Sequence, residues 1–268
     1  MHTIDGTRRM FTPWSTFFSD EGRRYLRRSI ELALDEDGPD LTAQGLFAAD
    51  APMHAVIRAK EDTHVVGLPV IHEVFEVMGA DPHVEMLVAE ASTVPAMTEV
   101  VRMEGPAIVL LKAERVILNF ITHLSGIANL TARYVRELEG TGVRLLDTRK
   151  TTPGMRMLEK EAVKIGGGMN HRIGLFDMIL LKDNHIDFCG GVHNAISRAK
   201  EYCRAKGKDL KIECEVRDWK ELEEALAEGC DRIMFDNFTP EDTRKAVELV
   251  AGRCETESSG GITFDTMI

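Results

Sequence analysis

From Val143 onward the sequence alternates short apolar runs with amphipathic stretches of ten residues or more, a rhythm that few folds can accommodate. The runs are residues 143–146, 178–181, 210–214, 232–235 and a weaker one at 254–257. The stretches between them carry helix starts: Asp218 with Glu221 makes a capping box, and Thr239-Pro240-Glu241 places proline in a first turn. Short apolar strands separated by helices build a parallel sheet, most simply a (β/α) barrel.

Each run gives way to polar residues. Residues 143–146 lead into Asp147, Arg149 and Lys150, and residues 178–181 lead into Lys182, Asp183 and His185. The third run ends in Glu213 and Glu215, the fourth in Asp236 and Asn237, the fifth in Ser258-Ser259-Gly260-Gly261. Polar residues at the carboxyl ends of successive parallel strands converge on one rim, where such folds place their active sites. The cations Arg149, Lys150, Arg172 and Lys182 suit carboxylates and phosphates. Glu215 and Asp236 suit a hard cation such as Mg²⁺, or sugar hydroxyls. Ser259-Gly260-Gly261, read as opening a helix, offers backbone N–H groups to a phosphate. A magnesium–phosphosugar with a carboxylated acceptor accounts for all three.

Residues 147–185 hold seven lysines and arginines in a chain of formal net charge −11, which points to a small anion and away from a nucleic-acid surface. Some of that charge has a plainer reading: Lys160 and Lys164, with Glu161, are expected on a solvated helix face. Gly166-Gly167-Gly168 reads as a flexible helix exit, and Arg115 as a partner of Glu114 or Glu137. His54, His64, His72 and His83 lack metal-ligand spacing and are expected at the surface. The five cysteines form no C-x-x-C pair, which suits reduced thiols in the cytoplasm. No apolar run approaches the ~18 residues of a membrane span, and the N-terminus lacks a signal-peptide core.

The first part of the chain reads differently. Residues 1–19 form an arm with Trp14, Phe17 and Phe18 available for packing. Ser19-Asp20-Glu21 starts a helix with Leu26, Ile30, Ala33 and Leu34 on its apolar face, stopped at Gly38-Pro39. Strands are expected near 55–60, 65–68, 84–88 and 97–103, with a helix opened by Pro69 carrying Val70, Val74, Val77 and Met78. This is a small α/β open-sheet domain, residues 1–112. A long helix runs from Ile108 to Glu139, with Val116, Phe120, Leu124, Ile127 and Leu130 on one face and Ser125-Gly126 allowing close packing. The (β/α) barrel domain takes residues 113–268.

Five blocks carry a resemblance: E-R-V-I-L-N-F-I-T-H-L-S-G-I-A-N (114–129), D-T-R-K-T-T-P-G-M-R (147–156), G-G-G-M-N-H-R (166–172), L-K-D-N-H-I (181–186) and F-D-N-F (235–238). In this order they resemble the quinolinate phosphoribosyltransferase family, and Asp40-Leu41-Thr42 fits as well. The resemblance implies an α/β N-terminal domain followed by an incomplete (β/α) barrel with fewer than eight strands. It further implies homodimers, or higher oligomers built from them, with shared active sites. The implied reaction converts quinolinate and phosphoribosyl pyrophosphate to nicotinate mononucleotide, pyrophosphate and CO₂, with Mg²⁺ and no organic cofactor.

By motif position, Arg149, His171 and Arg172 would bind the quinolinate carboxylates, assisted by Arg115 from the neighbouring subunit. Lys150 and Lys182 would sit between acceptor and phosphosugar. Glu215 and Asp236 would hold ribose hydroxyls or the metal, directly or through substrate or water; with the two lysines they are the catalytic set. Ser259, Gly260 and Gly261 would take the 5′-phosphate. Ala128-Asn129 and Cys214 depart from the family pattern in minor ways. The chain also stops at Ile268, where family members continue with another strand, a phosphate-contacting loop and a closing helix, so the barrel is expected to lack its last unit. The competing readings are a relative acting on another pyridine or pyrimidine acid, and a non-catalytic protein binding a pyridine carboxylate.

Overall fold

A computed structural model describes residues 20–267. The arm of residues 1–19, with Trp14, Phe17, Phe18 and Ser19, lies outside them. The chain divides into two compact units, one ending at His171 and the other beginning at Arg172.

The first unit opens with α1 (Asp20–Asp37) and the short α2 (Leu41–Leu46), whose first turn is capped by the Asp40 side chain accepting from Ala43 N at 2.9 Å. Strands β1 (Pro52–Arg58), β3 (His83–Met86) and β5 (Glu99–Pro106) form an antiparallel sheet in the order β1-β5-β3, with Met103 between Ala55 and Val84. A two-residue pair, β2 (Thr63–His64) and β4 (Thr93–Val94), stands apart from it. Between them α3 (Leu68–Val77) begins on Gly67, which has no side chain to cap with and sits at φ 107°. Buried Glu90 replaces the cap, its two oxygens accepting from Gly67 N and Leu68 N at 2.9 Å each.

The 31-residue α4 (Ala107–Glu137) is the spine of this unit, and α5 (Arg156–Ile165) packs along it. Leu110, Val116, Ile117, Phe120, Ile121 and Leu124 from α4 share one core with Leu26 and Ile30 of α1, Ile71 and Val74 of α3, and Leu158 and Ala162 of α5. Leu130, expected on that face, is instead exposed, because it sits off the buried stripe. Ser125 meets its neighbour as expected, accepting from Val66 N at 3.0 Å, but Gly126 faces open space. The close approach falls elsewhere. A Cβ on Gly166 would lie 2.5 Å from Ala128 O, and one on Gly168 would lie 3.0 Å from the Thr131 methyl. The G-G-G segment is therefore a tight seat on α4 and not a loose exit.

Two further expectations do not hold. Residues 143–146 form no strand: one parallel bridge joins Leu146 to Met169, and Val143 is exposed. The apolar run has no second extended segment beside it, only a turn leaving α5. His72, expected at the surface, is half-buried; burial lowers its pKa and leaves Nε2 without a hydrogen bond.

The second unit is a four-stranded parallel sheet, β6-β7-β8-β9, made of β6 (Ile179–Leu181), β7 (Ile212–Val216), β8 (Arg232–Asp236) and β9 (Glu255–Ser259). Helices α6 (Asp183–Cys189), α7 (Val192–Lys206), α8 (Trp219–Glu228) and α9 (Pro240–Val250) connect the strands. Half of the expected box forms: Asp218 accepts from Glu221 N at 2.9 Å, but the Glu221 carboxylate accepts from Arg217 N at 2.7 Å and not from Asp218 N. At the next helix Thr239 Oγ1 accepts from Asp242 N at 3.1 Å. The sheet has fewer than eight strands and is open among the described residues. No helix described is long and apolar enough to cross a membrane. The sequence boundary at 112/113 falls within α4, which is continuous there.

The contrast between the two glycine environments is testable. Gly166→Ala forces its new methyl into Ala128 and should cost about 1–3 kcal/mol. Gly126→Ala, with open space around it in a helix interior, should gain roughly 0.5–1 kcal/mol. Urea denaturation of the two variants reads both, and equal behaviour would contradict the packing described.

Candidate functional site

In the first unit the motif residues are held by one buried carboxylate. Asp147 Oδ1 accepts from His171 N at 2.9 Å and pairs with Lys160 Nζ, while Oδ2 accepts from Asn170 Nδ2 at 2.6 Å. Lys160 Nζ also donates to His171 O at 3.1 Å, and its side chain is only 2% exposed. The solvated face expected for Lys160 is therefore wrong. Lys160 lies on the side of α5 that meets the 147–150 loop, so Asp147 covers it. Lys164 does face water, but its partner Glu161 is buried.

This network fixes where the candidate cations begin. Arg149 comes two residues after Asp147 and is half-buried, with Nε enclosed and unbonded. Lys150 is exposed, its backbone N donating to Thr148 Oγ1 at 2.9 Å. His171 is buried with its backbone gripped by the Asp147 carboxylate. A second carboxylate steadies the other side of the loop: Glu159 accepts from Thr152 N at 3.1 Å and bonds His123 Nε2 of α4 at 2.8 Å. Burial alone would raise the Glu159 carboxyl, but the bonds from Thr152 and His123 outweigh it and hold it below its ordinary value. Arg115 stands exposed on α4, and among the described residues neither Glu114 nor Glu137 pairs with it.

In the second unit the sheet register sorts residues by face. Leu181, Cys214, Val216, Ile233 and Phe235 point into an apolar core with the helices. On the opposite face Glu213 lies beside Arg232, which lies beside Glu255, and Glu215 beside Met234, then Glu257. Arg232 bridges Glu255 at 2.8 Å, Glu257 at 3.1 Å and Glu213 at 3.8 Å. Glu213, expected at a strand end, thus belongs to an ionic row within the sheet, because β7 continues through Val216.

At the carboxyl ends, Lys182 Nζ lies 3.2 Å from the buried Glu215 carboxylate, and Lys182 N donates to His185 Nδ1 at 3.0 Å. Asp236 pairs in register with Ser259, and Asn237 donates from Nδ2 to Asp236 Oδ2 at 3.0 Å and from its backbone N to Ser259 O at 2.8 Å. Asn237 adopts φ 57°, and Gly260 packs so tightly on it that a Cβ there would lie 2.3 Å from Asn237 Oδ1. Strand ends carrying Lys182, Glu215, Asp236 and Ser259 are therefore neighbours along one edge. No helix opens at Ser259: Gly260 and Gly261 turn the chain through positive φ, and a 3₁₀ turn forms at Phe264–Thr266. The backbone N–H groups there belong to a turn. Arg172 donates to Met178 O at 3.4 Å, and Asp177 receives Ile173 N and Gly174 N at 2.7 and 2.9 Å, closing the loop that carries it.

The donor chemistry admits a hard cation. Glu215 and Asp236 supply carboxylate oxygens on neighbouring strands, and among the described residues neither belongs to a group of three or more His, Cys, Asp or Glu at ligand spacing. Mg²⁺ is usually held in this way, by one or two carboxylates completed by substrate phosphates and water. Thiol chemistry is disfavoured: burial pushes Cys214 well above its ordinary pKa and Cys230 up to about 12. Glu159 and Asn170 were given no role by the sequence; Asp147 and Asn237 stood at the ends of apolar runs without an orienting role, and Lys160 was read as facing water. Asp147, Asn170 and Asn237 lie within motif blocks, next to the cations and acids, whereas Glu159 and Lys160 lie outside them.

Glu161 gives a test of this burial. Desolvation raises its carboxyl, Lys164 only partly offsets this, and Oε1 has no partner. A raised folded pKa contributes stability below the unfolded value and loses it as pH rises through the folded one. Glu161→Gln should therefore stabilise the protein by roughly 1 kcal/mol at pH 7, with the gain vanishing below about pH 4. Chemical denaturation at both pH values measures it, and a gain independent of pH would refute the assignment.

The chain is similar to known proteins over most of its length. The family model for the N-terminal domain of quinolinate phosphoribosyl transferase matches residues 40–125, and that for its C-terminal domain matches residues 127–268. The probable nicotinate-nucleotide pyrophosphorylase [carboxylating] of Bacillus subtilis is 41% identical over 228 residues, covering 85% of this chain and 78% of that protein. The chloroplastic enzyme of that name from Arabidopsis thaliana is 38% identical over 260 residues, covering 90% and 74%. The solved NadC structure from Streptococcus pyogenes superposes with a TM-score of 0.85 at 37% identity, covering 92% of this chain and 87% of that one. The nicotinate-nucleotide pyrophosphorylase structure from Francisella tularensis gives 0.83 at 38%, covering 90% and 84%.

Proposed function

The chain belongs to the quinolinate phosphoribosyltransferase family, and we infer that it transfers phosphoribosyl from phosphoribosyl pyrophosphate to quinolinate with loss of CO₂, a step of NAD biosynthesis. The observation that carries this is the match of both family domains in series along one chain, with every cationic motif block in place.

The chemistry asks for three things. The acceptor must present its ring nitrogen in line with the sugar C1, and clamping both carboxylates does this; such positioning contributes about 7–11 kcal/mol in favourable cases. Arg149, His171 and Arg172 are the clamp, with Arg115 of a second copy completing it in a homodimer. The enclosed and unbonded Nε of Arg149 is consistent with a guanidinium reserved for a ligand. Next, pyrophosphate must leave carrying its charge. Lys150 and Lys182 supply cations for that charge, and Glu215 keeps the Lys182 ammonium in place. Bound Mg²⁺ would add charge neutralisation on the phosphate oxygens, with Glu215 and Asp236 as its nearest protein ligands.

Last, the electron-deficient C1 and the ribose must be held. Asp236, fixed by Asn237, suits the ribose hydroxyls, and the turn at Ser259, Gly260 and Gly261 suits the 5′-phosphate. Formation of the N–C1 bond leaves a pyridinium ring. That ring accepts the electron pair of the breaking C–CO₂ bond, and C2 then takes a proton. The five free thiols suit a reducing compartment such as the cytoplasm.

Incubating the chain with Mg²⁺, quinolinate and phosphoribosyl pyrophosphate should release CO₂ and nicotinate mononucleotide in equal amounts, with nicotinate a poor substitute. Absence of turnover would overturn the reading, and faster use of nicotinate would replace the acceptor. Arg149→Ala and Arg172→Ala should each weaken quinolinate binding by roughly 2–5 kcal/mol. Mixing Arg115→Ala protein with Arg149→Ala protein should restore one working site per dimer; no recovery excludes sharing through Arg115.

A further inference from the structure

Lys160 is enclosed, so it cannot reach a substrate, yet it occupies the centre of the loop network that carries the clamp residues. Resting on the proposed quinolinate chemistry, we propose that Lys160 is a positioning residue for quinolinate, acting through its ion pair with Asp147 on the peptide units of His171. The geometry grips that residue from both sides. Asp147 Oδ1 accepts the backbone N–H of His171 at 2.9 Å, and Lys160 Nζ donates to the carbonyl of the same residue at 3.1 Å. Asn170, one residue earlier, donates to Asp147 Oδ2 at 2.6 Å and to Lys160 O at 2.8 Å. Four hydrogen bonds and one ion pair thus fix two consecutive residues. The same Asp147 starts the loop bearing Arg149 and Lys150, so one pair sets the separation of the two clamp segments.

Stability gives no sufficient reason for such a pair. Burying a lysine and an aspartate sacrifices hydration, and well-packed apolar residues of similar volume often serve stability as well or better. What apolar residues cannot do is hold a backbone N–H and a backbone C=O at set positions. Placement is what a dicarboxylate clamp requires, since misplacement by about 1 Å can lower a rate on the order of a hundredfold.

The test is calorimetric. Quinolinate and phosphoribosyl pyrophosphate are titrated separately into wild-type and Lys160→Met protein, at a temperature where circular dichroism shows both folded. The proposal expects the quinolinate Kd to rise about tenfold or more. The phosphoribosyl pyrophosphate Kd should stay within about twofold, and the preference for quinolinate over nicotinate should shrink. A merely structural lysine would lower the melting temperature and leave the affinities of the folded protein alone. An unchanged quinolinate Kd, or both constants rising together, overturns the proposal. Should Lys160→Met not fold, Asp147→Asn keeps the volume and one acceptor oxygen, and is held to the same selective loss. A wild-type chain that fails to bind quinolinate at all overturns the functional reading itself. A wild type that binds, with a variant that binds equally well, overturns this proposal alone.

Discussion

The buried pair of Lys160 and Asp147 is the constraint on which the arrangement of the first unit's motif segments depends. Each ion alone would cost several kcal/mol to take out of water, so neither can stay buried without the other. Their meeting draws together three pieces of chain that sequence keeps apart: the loop after Leu146, helix α5, and the segment Met169 to His171. A second layer ties these to α4. Glu159 reaches His123, and Gly166 and Gly168 seat the helix exit against Ala128 and Thr131. A Cβ at Gly166 would lie 2.5 Å from Ala128 O, so the exit of α5 sits this close to α4 only because glycine stands there.

Much of the fold was legible as periodicity. The 3.6-residue recurrence of Val116, Phe120 and Leu124 located α4, alternation located β1, and repeated apolar runs announced the parallel sheet. What failed did so for non-local reasons. The run at 143–146 is apolar enough for a strand, but its neighbour is the turn around Met169, which offers one bridge and no ladder. Lys160 lies in the polar string E-K-E-A-V-K, where helical spacing alone suggests water. Its burial is decided by Asp147, thirteen residues earlier, through a loop whose path no pattern encodes. The candidate site was legible as residue types in blocks; Asp147 and Asn237 stood among the polar residues at the run ends, but no pattern there assigns them the orienting contacts they make.

The second unit shows how a parallel sheet can be apolar and charged at once. Strands covered on both faces by helices run continuously hydrophobic, whereas I-E-C-E-V alternates and R-I-M-F-D is charged at both ends. One face feeds the helix-covered core. The other sets a single guanidinium, Arg232, among Glu213, Glu255 and Glu257, whose mutual repulsion it offsets; its hydrogen bond is the main reason the Glu255 carboxyl sits below its ordinary value. That row braces the strands whose ends carry Glu215, Asp236 and Ser259. A short cross-strand lattice thus lies beneath a polar edge, and the edge needs no apolar support of its own.

The two family domains change over between residues 125 and 127, in the middle of α4, while that helix runs unbroken from Ala107 to Glu137. Ser125 and Asn129, on either side of the changeover, both bond the β2 region, to Val66 N and His64 N. The join is therefore made of helix turns that belong to both partners. A cut at this point would break a helical phase and a buried stripe at once, so the changeover is carried by continuous helix and not by a linker.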